Sequence, residues 1–339
     1  MLTLFELVVR MNRKEGGELN MFKYILKRIG YIIITLFLVL TVNFLLLQLM
    51  PGGPFEDPKL SVAQKTILEN KYGLNDPVPV QYTRYMAGVL KGDFGTSFKL
   101  QNQEVADLVL SRIPYTIKPG AIALVVGVTV GIILGAIAAM NRNTIWDHCI
   151  TIIAVLGVSI PSFVLASFLQ YFICNKLGWL PYLYQSADPI RGVSQLAELK
   201  SLILPSLSLA IPVIASLMRY MRSELIEVLN TDYILLARAK GLTKAQVISR
   251  HALRNALIPV ITVIGPMLIS IMTGSLVIEQ FFGVPGLSKL MLDAVTMNDY
   301  FLTLGIAFFY SFLYVVVILI IDILYGVIDP RIRLAGGGK

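Results

Sequence analysis

Charge is scarce in this chain. Only 15% of its 339 residues are Asp, Glu, Lys or Arg, against roughly 25% in an ordinary soluble domain, while 56% are hydrophobic. That balance reads as an integral membrane protein. Cysteine is equally sparse: Cys149 and Cys174 fall within one apolar run, too far apart along a helix to bridge, so no disulfide framework is expected. The two histidines, His148 and His251, make no metal-ligand spacing, and the sequence has no H-E-x-x-H, G-x-S-x-G or G-x-x-x-x-G-K-[ST]. These absences leave no catalytic residue and no metal site to assign. They also exclude a nucleotide-binding loop of the last kind, so any ATP used must be bound by another chain.

What the chain does have is apolar length. A bilayer core of about 30 Å takes about 20 helical residues, and six runs qualify: 29–49, 115–140, 149–176, 201–218, 260–278 and 302–324. The expected fold class is an all-α integral membrane protein with six transmembrane helices. Residues 51–114 form a polar interval with soluble-type helix signals. Ser61 and Gln64 make a capping box, Gly73 a stop, and Tyr82, Tyr85, Met86 and Val89 share one helical face. This predicts a small exterior subdomain, either contacting a soluble partner or serving as a lid on the bundle. Gly127, Gly131 and Gly135 form a small-residue stripe suited to close helix packing, within one subunit or between two. The third run is broken by Ser159, Ile160 and Pro161, and 281–300 is too polar and short to cross. Residues 1–20 read either as a mobile tail or as sequence upstream of a true start at Met21. The expected division is therefore 1–20, a first span within 21–50, the subdomain 51–114, a core at 115–334 and a tail at 335–339.

The polar-patterned stretch between the fourth and fifth runs, 233–259, reads as two short helices. Gly241 suits the left-handed position that ends the first, Thr243 and Gln246 cap the second, and Pro259 is expected to end it near Leu257. Alone, it resembles a DNA-binding helix-turn-helix. Its place between two membrane runs argues for no nucleic acid. Basic residues flank the runs at Lys23, Lys27 and Arg28, at Arg219 and Arg222, and at Arg331 and Arg333. With six spans they share one side, which the positive-inside rule makes cytoplasmic, together with both termini. Arg238, Lys240, Lys244, Gln246, Arg250 and Arg254, mixed with Leu242, Val247 and Ile248, would suit a helix docked in a protein groove. The alternative is an amphipathic loop resting on anionic lipid.

The segment ARAKGLTKAQVISRHALRNALIP, 237–259, resembles the cytoplasmic loop motif of ATP-binding-cassette importer permeases of the oligopeptide, dipeptide and nickel family. Four further stretches match that family's first membrane subunit in order: YGLNDPVPVQYTRYMAGVLKGDFGTSF, SIPSFVLA, VIEQFFGVPGLSKLMLDAV and DPRIR. One departure is Leu235, where the general loop motif opens on an acid. The resemblance implies a bacterial cytoplasmic-membrane importer containing this chain, a second homologous permease, two ATPases carrying ATP and Mg, and an extracytoplasmic substrate-binding protein that delivers peptide. It implies a non-enzymatic subunit that binds no cofactor itself. ATPase coupling would fall, within 223–259, to Ala237, Arg238, Ala239, Lys240, Gly241, Leu242, Thr243, Gln246, Val247, Arg250 and Arg254. Small polar groups lining a peptide path would be Ser159, beside Pro161, with Ser270, Thr273 and Ser275. Glu279 is a further candidate as an ionisable residue at a membrane end. Each of these polar side chains has local bonding as its alternative. Nickel or another small solute is the other cargo reading. A self-contained secondary transporter would call for mid-span charges and an inverted repeat, neither of which is evident.

Overall fold

The computed structural model describes residues 21–50, 52–56, 61–100, 103–188, 190 and 192–328. The expectations for 1–20 and for 329–339 lie outside the described residues. The helices are α1 (Met21–Leu49), α2 (Val62–Tyr72), α3 (Val78–Leu90), α4 (Val105–Met140), α5 (Ile145–Ser159), α6 (Ser162–Leu169), α7 (Gln195–Leu229), α8 (Asp232–Ala239), α9 (Lys244–Val247), α10 (Leu253–Phe282), α11 (Leu287–Thr296) and α12 (Tyr300–Ile328). Wide π turns extend α6 over Gln170–Lys176 and join α9 to α10 over Ile248–Ala252. Among the described residues, β-structure is limited to two isolated bridges. The protein is all-α.

Five helical segments are long and apolar enough to cross a membrane, and α5 with α6 qualifies as a pair bent by 107°. The third apolar run is thus a sharply broken helix. The packing shows that it still makes one crossing. Cβ atoms built on Gly127, Gly131 and Gly135 would stand 2.6 Å from Val213, 2.8 Å from Leu217 and 2.7 Å from Met221. The numbers rise together, so α4 and α7 run parallel, and the chain must return once between them. End contacts agree. Asp147, at the start of α5, holds Arg222 near the end of α7. Beyond the bend, Gln170 donates to the Tyr182 carbonyl, and the Tyr184 N–H donates to the carbonyl of Phe282 at the far end of α10. Burial and the adjoining Glu198 carboxylate hold the Tyr184 hydroxyl above its ordinary range, so it remains a donor to Glu198.

The glycine stripe therefore packs within this chain. In lipid no hydrophobic gain drives helices together, and small residues let backbones reach van der Waals range. α7 is the most buried of the candidate spans, with Leu204, Leu217, Met218, Met221 and Leu225 fully enclosed. Helices also run further than the apolar runs. α4 continues through Pro114 and Pro119, α7 through Pro205 and Pro212, and α10 through Pro259 and Pro266. Charged residues end an apolar run without ending a helix, and neighbouring helices and side chains can re-satisfy the backbone that proline frees.

The polar interval folds as expected locally. The Ser61–Gln64 capping box is formed, and Gly73 is left-handed at φ 65°. Tyr82, Tyr85, Met86 and Val89 pack with Leu40, Phe44 and Leu47 of α1 and Leu304 of α12. A second aromatic group, Phe55, Tyr72 and Phe98, reaches Phe301. The subdomain is thus fastened to α1 and α12. α11 lies beside it and buries Leu287, Leu290 and Ala294.

A Cβ at position 135 would meet the Met218 carbonyl oxygen at 2.6 Å, a backbone atom with little room to move. Gly135→Ala should destabilise the purified chain by about 1–3 kcal/mol, read as a lowered thermal transition in detergent. Gly30→Ala, with nothing within 4 Å of its added Cβ, should leave the transition in place.

Candidate functional site

The segment joining α7 to α10 takes its shape from a few local choices. α8 ends where Gly241 turns left-handed at φ 81°, its N–H donating to the Arg238 carbonyl at 2.9 Å. A Cβ at Gly241 would meet nothing within 4 Å, so glycine is needed there for its dihedral angle and not for space. Thr243 and Gln246 form a reciprocal box: the Thr243 N–H donates to Gln246 Oε1 at 3.0 Å, and the Gln246 N–H to Thr243 Oγ1 at 3.4 Å. Helix start and stop therefore fall where the sequence placed them. The second helix, however, does not end near Leu257. It passes through the π turn into α10 without a break.

That π turn sets which residues face inward. Val247, Ala252, Ala256 and Val260 are all buried. The step from 247 to 252 is five residues, and the next two steps are four. An uninterrupted α-helix would have carried His251 into the stripe after Val247; the inserted residue carries Ala252 there instead, and leaves Arg250 exposed. On α8 the inward residues are Ile234 and Ala237, which join the core cluster containing Leu225 of α7. Asn255 Nδ2 donates to the Tyr233 hydroxyl at 2.8 Å, tying α8 to α10. α8 is thus seated on two membrane helices at once.

The outward face differs from the one the sequence suggests. Val247 is buried and Leu242 and Ile248 are half-buried, so these apolar residues fasten the pair to the bundle. The exposed apolar surface belongs to α8, with Leu235 at 66% and Leu236 at 57% exposure. Arg238, Ala239, Lys240, Gly241, Thr243, Arg250 and Arg254 are exposed around it, and Gln246 is half-buried. Sequence reasoning noted Leu235 only as a departure from the loop motif and passed over Leu236, Tyr233 and Asn255. The signal was available in α8, where Ile234 and Ala237 define one face and leave 235 and 236 on the other.

Beneath this segment lies a buried ion pair that the sequence did not reveal. Asp147 is 1% exposed, and its carboxylate takes two bonds from Arg222, Nε at 2.6 Å and a terminal nitrogen at 2.8 Å. The Asn143 N–H adds a third at 3.0 Å. A bidentate guanidinium is a partner that can offset the desolvation of a carboxylate at such depth.

The candidate path residues fall into two groups, one exposed and one facing inward. Ser159 and Pro161 are exposed at the α5–α6 bend, with the Ser159 hydroxyl donating to the Val155 carbonyl at 2.8 Å. Ser270 is exposed on α10, and the side chain of Thr273 lies outside the described residues. Ser275 and Glu279 face inward at the far end of α10. Ser275 donates to the Met272 carbonyl, and Glu279, 1% exposed, accepts from the Ser288 N–H at 2.9 Å. Beside it Thr116 Oγ1 accepts from the Leu287 N–H. This polar cluster holds the start of α11 against α4 and α10.

Comparison with known proteins covers nearly all of the chain. Residues 131–334 match the binding-protein-dependent transport system inner membrane component, and residues 21–119 the N-terminal region of the corresponding membrane component. The dipeptide transport system permease protein of Lactococcus lactis subsp. cremoris MG1363 is 39% identical over 93% of this chain and 100% of its own length. The oligopeptide transport system permease proteins of Haemophilus influenzae and Escherichia coli K12 are each 41% identical over 92% of this chain and 100% of theirs. Among solved structures, a chain of the MetNI methionine ABC transporter superposes with a TM-score of 0.53 at 16% identity, covering 66% of this chain and 96% of that one. A chain of an amino acid ABC transporter gives 0.50 at 16%, covering 65% and 94%. At that identity the likeness carries the fold alone.

Removing the cation of the buried pair should cost more than removing the anion. Arg222→Met leaves Asp147 enclosed without a counter-charge and should destabilise the chain by roughly 3–5 kcal/mol. Asp147→Asn leaves an arginine whose side chain is already 30% exposed and should cost less. Asp147→Leu combined with Arg222→Met should regain most of the loss. Thermal unfolding of the four purified chains in detergent measures this; equal losses for both single changes, with no recovery in the double, would contradict it.

Proposed function

We propose, from the premise that the chain belongs to the family of binding-protein-dependent transport system inner membrane components, that it is the permease subunit of an ATP-driven importer moving oligopeptides or dipeptides across the bacterial cytoplasmic membrane. The relatives reported above are peptide permeases by name, which supports peptide over nickel as cargo. The basic flanks support a cytoplasmic position for α8, α9 and both termini. The partners are a second permease, two ATPases carrying ATP and Mg, and an extracytoplasmic binding protein.

The observation that carries the coupling role is the seat of α8. Its inner face is packed between α7 and α10, its outer face offers Leu235 and Leu236, and Arg250 and Arg254 stand exposed on the helix beyond. Such a helix suits an ATPase cleft. When ATP closes the ATPase dimer, a load on α8 reaches both membrane helices together and turns the pore outward; hydrolysis resets it. The free energy comes from the different nucleotide affinities of the two states. This subunit contributes mechanical linkage and the wall of the path, for which Ser159, Ser270 and Thr273 are the proposed polar groups.

Leu235→Glu with Leu236→Glu should abolish co-purification of the ATPases and peptide uptake while leaving the chain monodisperse, because neither side chain supports the core. Retention of the ATPases by that variant would place the docking face elsewhere. Uptake of labelled peptide by the unaltered importer should be competed by unlabelled peptides and not by nickel.

A further inference from the structure

A cavity of 460 Å³ opens at the basic end of the bundle, between the end of α4, the end of α7 and the α8–α9 segment. Its volume is that of an ordinary ligand site, and so is its make-up of apolar walls with a few converging polar groups. Ile226 and Leu229 of α7 and Val247 supply apolar wall, while Arg142, Asn230 and Arg238 are the polar members. Neither arginine forms an ion pair with a described acidic residue. The nearby acid Asp147 is already committed to Arg222. The cavity therefore sets two arginines, neither held in a short ion pair with a described acid, above an apolar floor.

Position adds a second constraint. Arg238 follows Ile234 by four residues and lies roughly 40° round the helix from it, on the inner edge of α8 and away from the outward face of Leu235 and Ala239. Arg238 is thus exposed at the border between the cavity and the outward face of α8. Four residues beyond Arg142, Trp146 is 68% exposed at the start of a membrane-crossing helix, where an aromatic ring marks headgroup level.

We propose that this cavity binds the headgroup of an anionic glycerophospholipid, its phosphate between Arg142 and Arg238 and the upper part of an acyl chain against Ile226 and Leu229. Basic pockets between membrane helices suit such headgroups. Arg142 belongs to the α4–α5 turn, whereas Asn230 and Arg238 belong to the coupling segment. A lipid held there ties α8 to α4, and the anionic lipid content of the membrane then sets how firmly the lever is held.

The test is native mass spectrometry of the full chain in detergent with added phosphatidylglycerol or phosphatidylcholine. Phosphatidylglycerol should be retained about tenfold or more over phosphatidylcholine, as two basic side chains at the headgroup level allow. Arg142→Ala with Arg238→Ala should abolish that preference. Leu229→Trp, which fills the cavity and keeps both charges, should also abolish it. Arg250→Ala with Arg254→Ala removes the same charge from outside the cavity and should preserve it. Retention by the first pair, equal loss in the last, or displacement of the lipid by excess inorganic phosphate would overturn the proposal, the last outcome marking a site for free anions. Binding is read on the chain itself, so the result stands apart from the cargo and ATPase assignments.

Discussion

The seam between α4 and α7 is the contact on which the other elements depend. Inside a bilayer, helix association rests on close packing, since lipid tails are as apolar as leucine. The three glycines at 127, 131 and 135 remove the side chains that would hold the backbones apart, and α7 answers with Val213, Leu217 and Met221. Parallel pairing of two helices that are not consecutive membrane crossings obliges α5 and α6 to return the chain between them. Gly157 of α5 then rests near Ala215 and Ile211 of α7. α7 thereby becomes the central post of the bundle, and whatever moves its basic end moves the structure around it.

The coupling segment grows out of that post. α7 runs past the apolar run into Leu229, turns at Asn230, and presents α8 against its own last turns. The buried Asp147–Arg222 pair ties the start of α5 to the same end of α7, so three crossings meet there. A push on the outer face of α8 is then resisted by side chains from α7 and α10 and not by a loose loop. At the opposite end, the cluster of Thr116, Ser275, Glu279 and Ser288 joins α4, α10 and α11, while the aromatic packing of α3 joins α1 to α12. The bundle is thus tied at both ends.

Local signals were legible where one or two residues decide the outcome. The Ser61–Gln64 and Thr243–Gln246 boxes and the stops at Gly73 and Gly241 all stand where their residues imply. Apolar length gave the number of crossings, because the bilayer imposes it. Helix ends were not legible, since Arg219, Arg222, Glu224 and Glu227 end an apolar run while α7 continues through them. The angle of the α5–α6 bend was hidden too, because Pro161 announces a break and neighbours set its size. In the candidate site, the register insertion after Val247 put Ala252 in place of His251 on the inner stripe, while on α8 the burial of Ile234 and Ala237 turned Leu235 and Leu236 outward. The Asp147–Arg222 pair spans 75 positions, and a single sequence gives no means of joining them.

The central claim is that α8 moves as one body with the basic end of α7. Spin labels at Asp232→Cys and Ser223→Cys, with Cys149 and Cys174 replaced by serine, would report the first distance in the assembled importer; labels at Asp232→Cys and Ile33→Cys would report a second. Pulsed dipolar spectroscopy with and without ATP should show the first distance unchanged and the second shifted. A first distance that shifts with ATP while the second stays fixed would contradict the account, because α8 would then be a loose loop and not a lever.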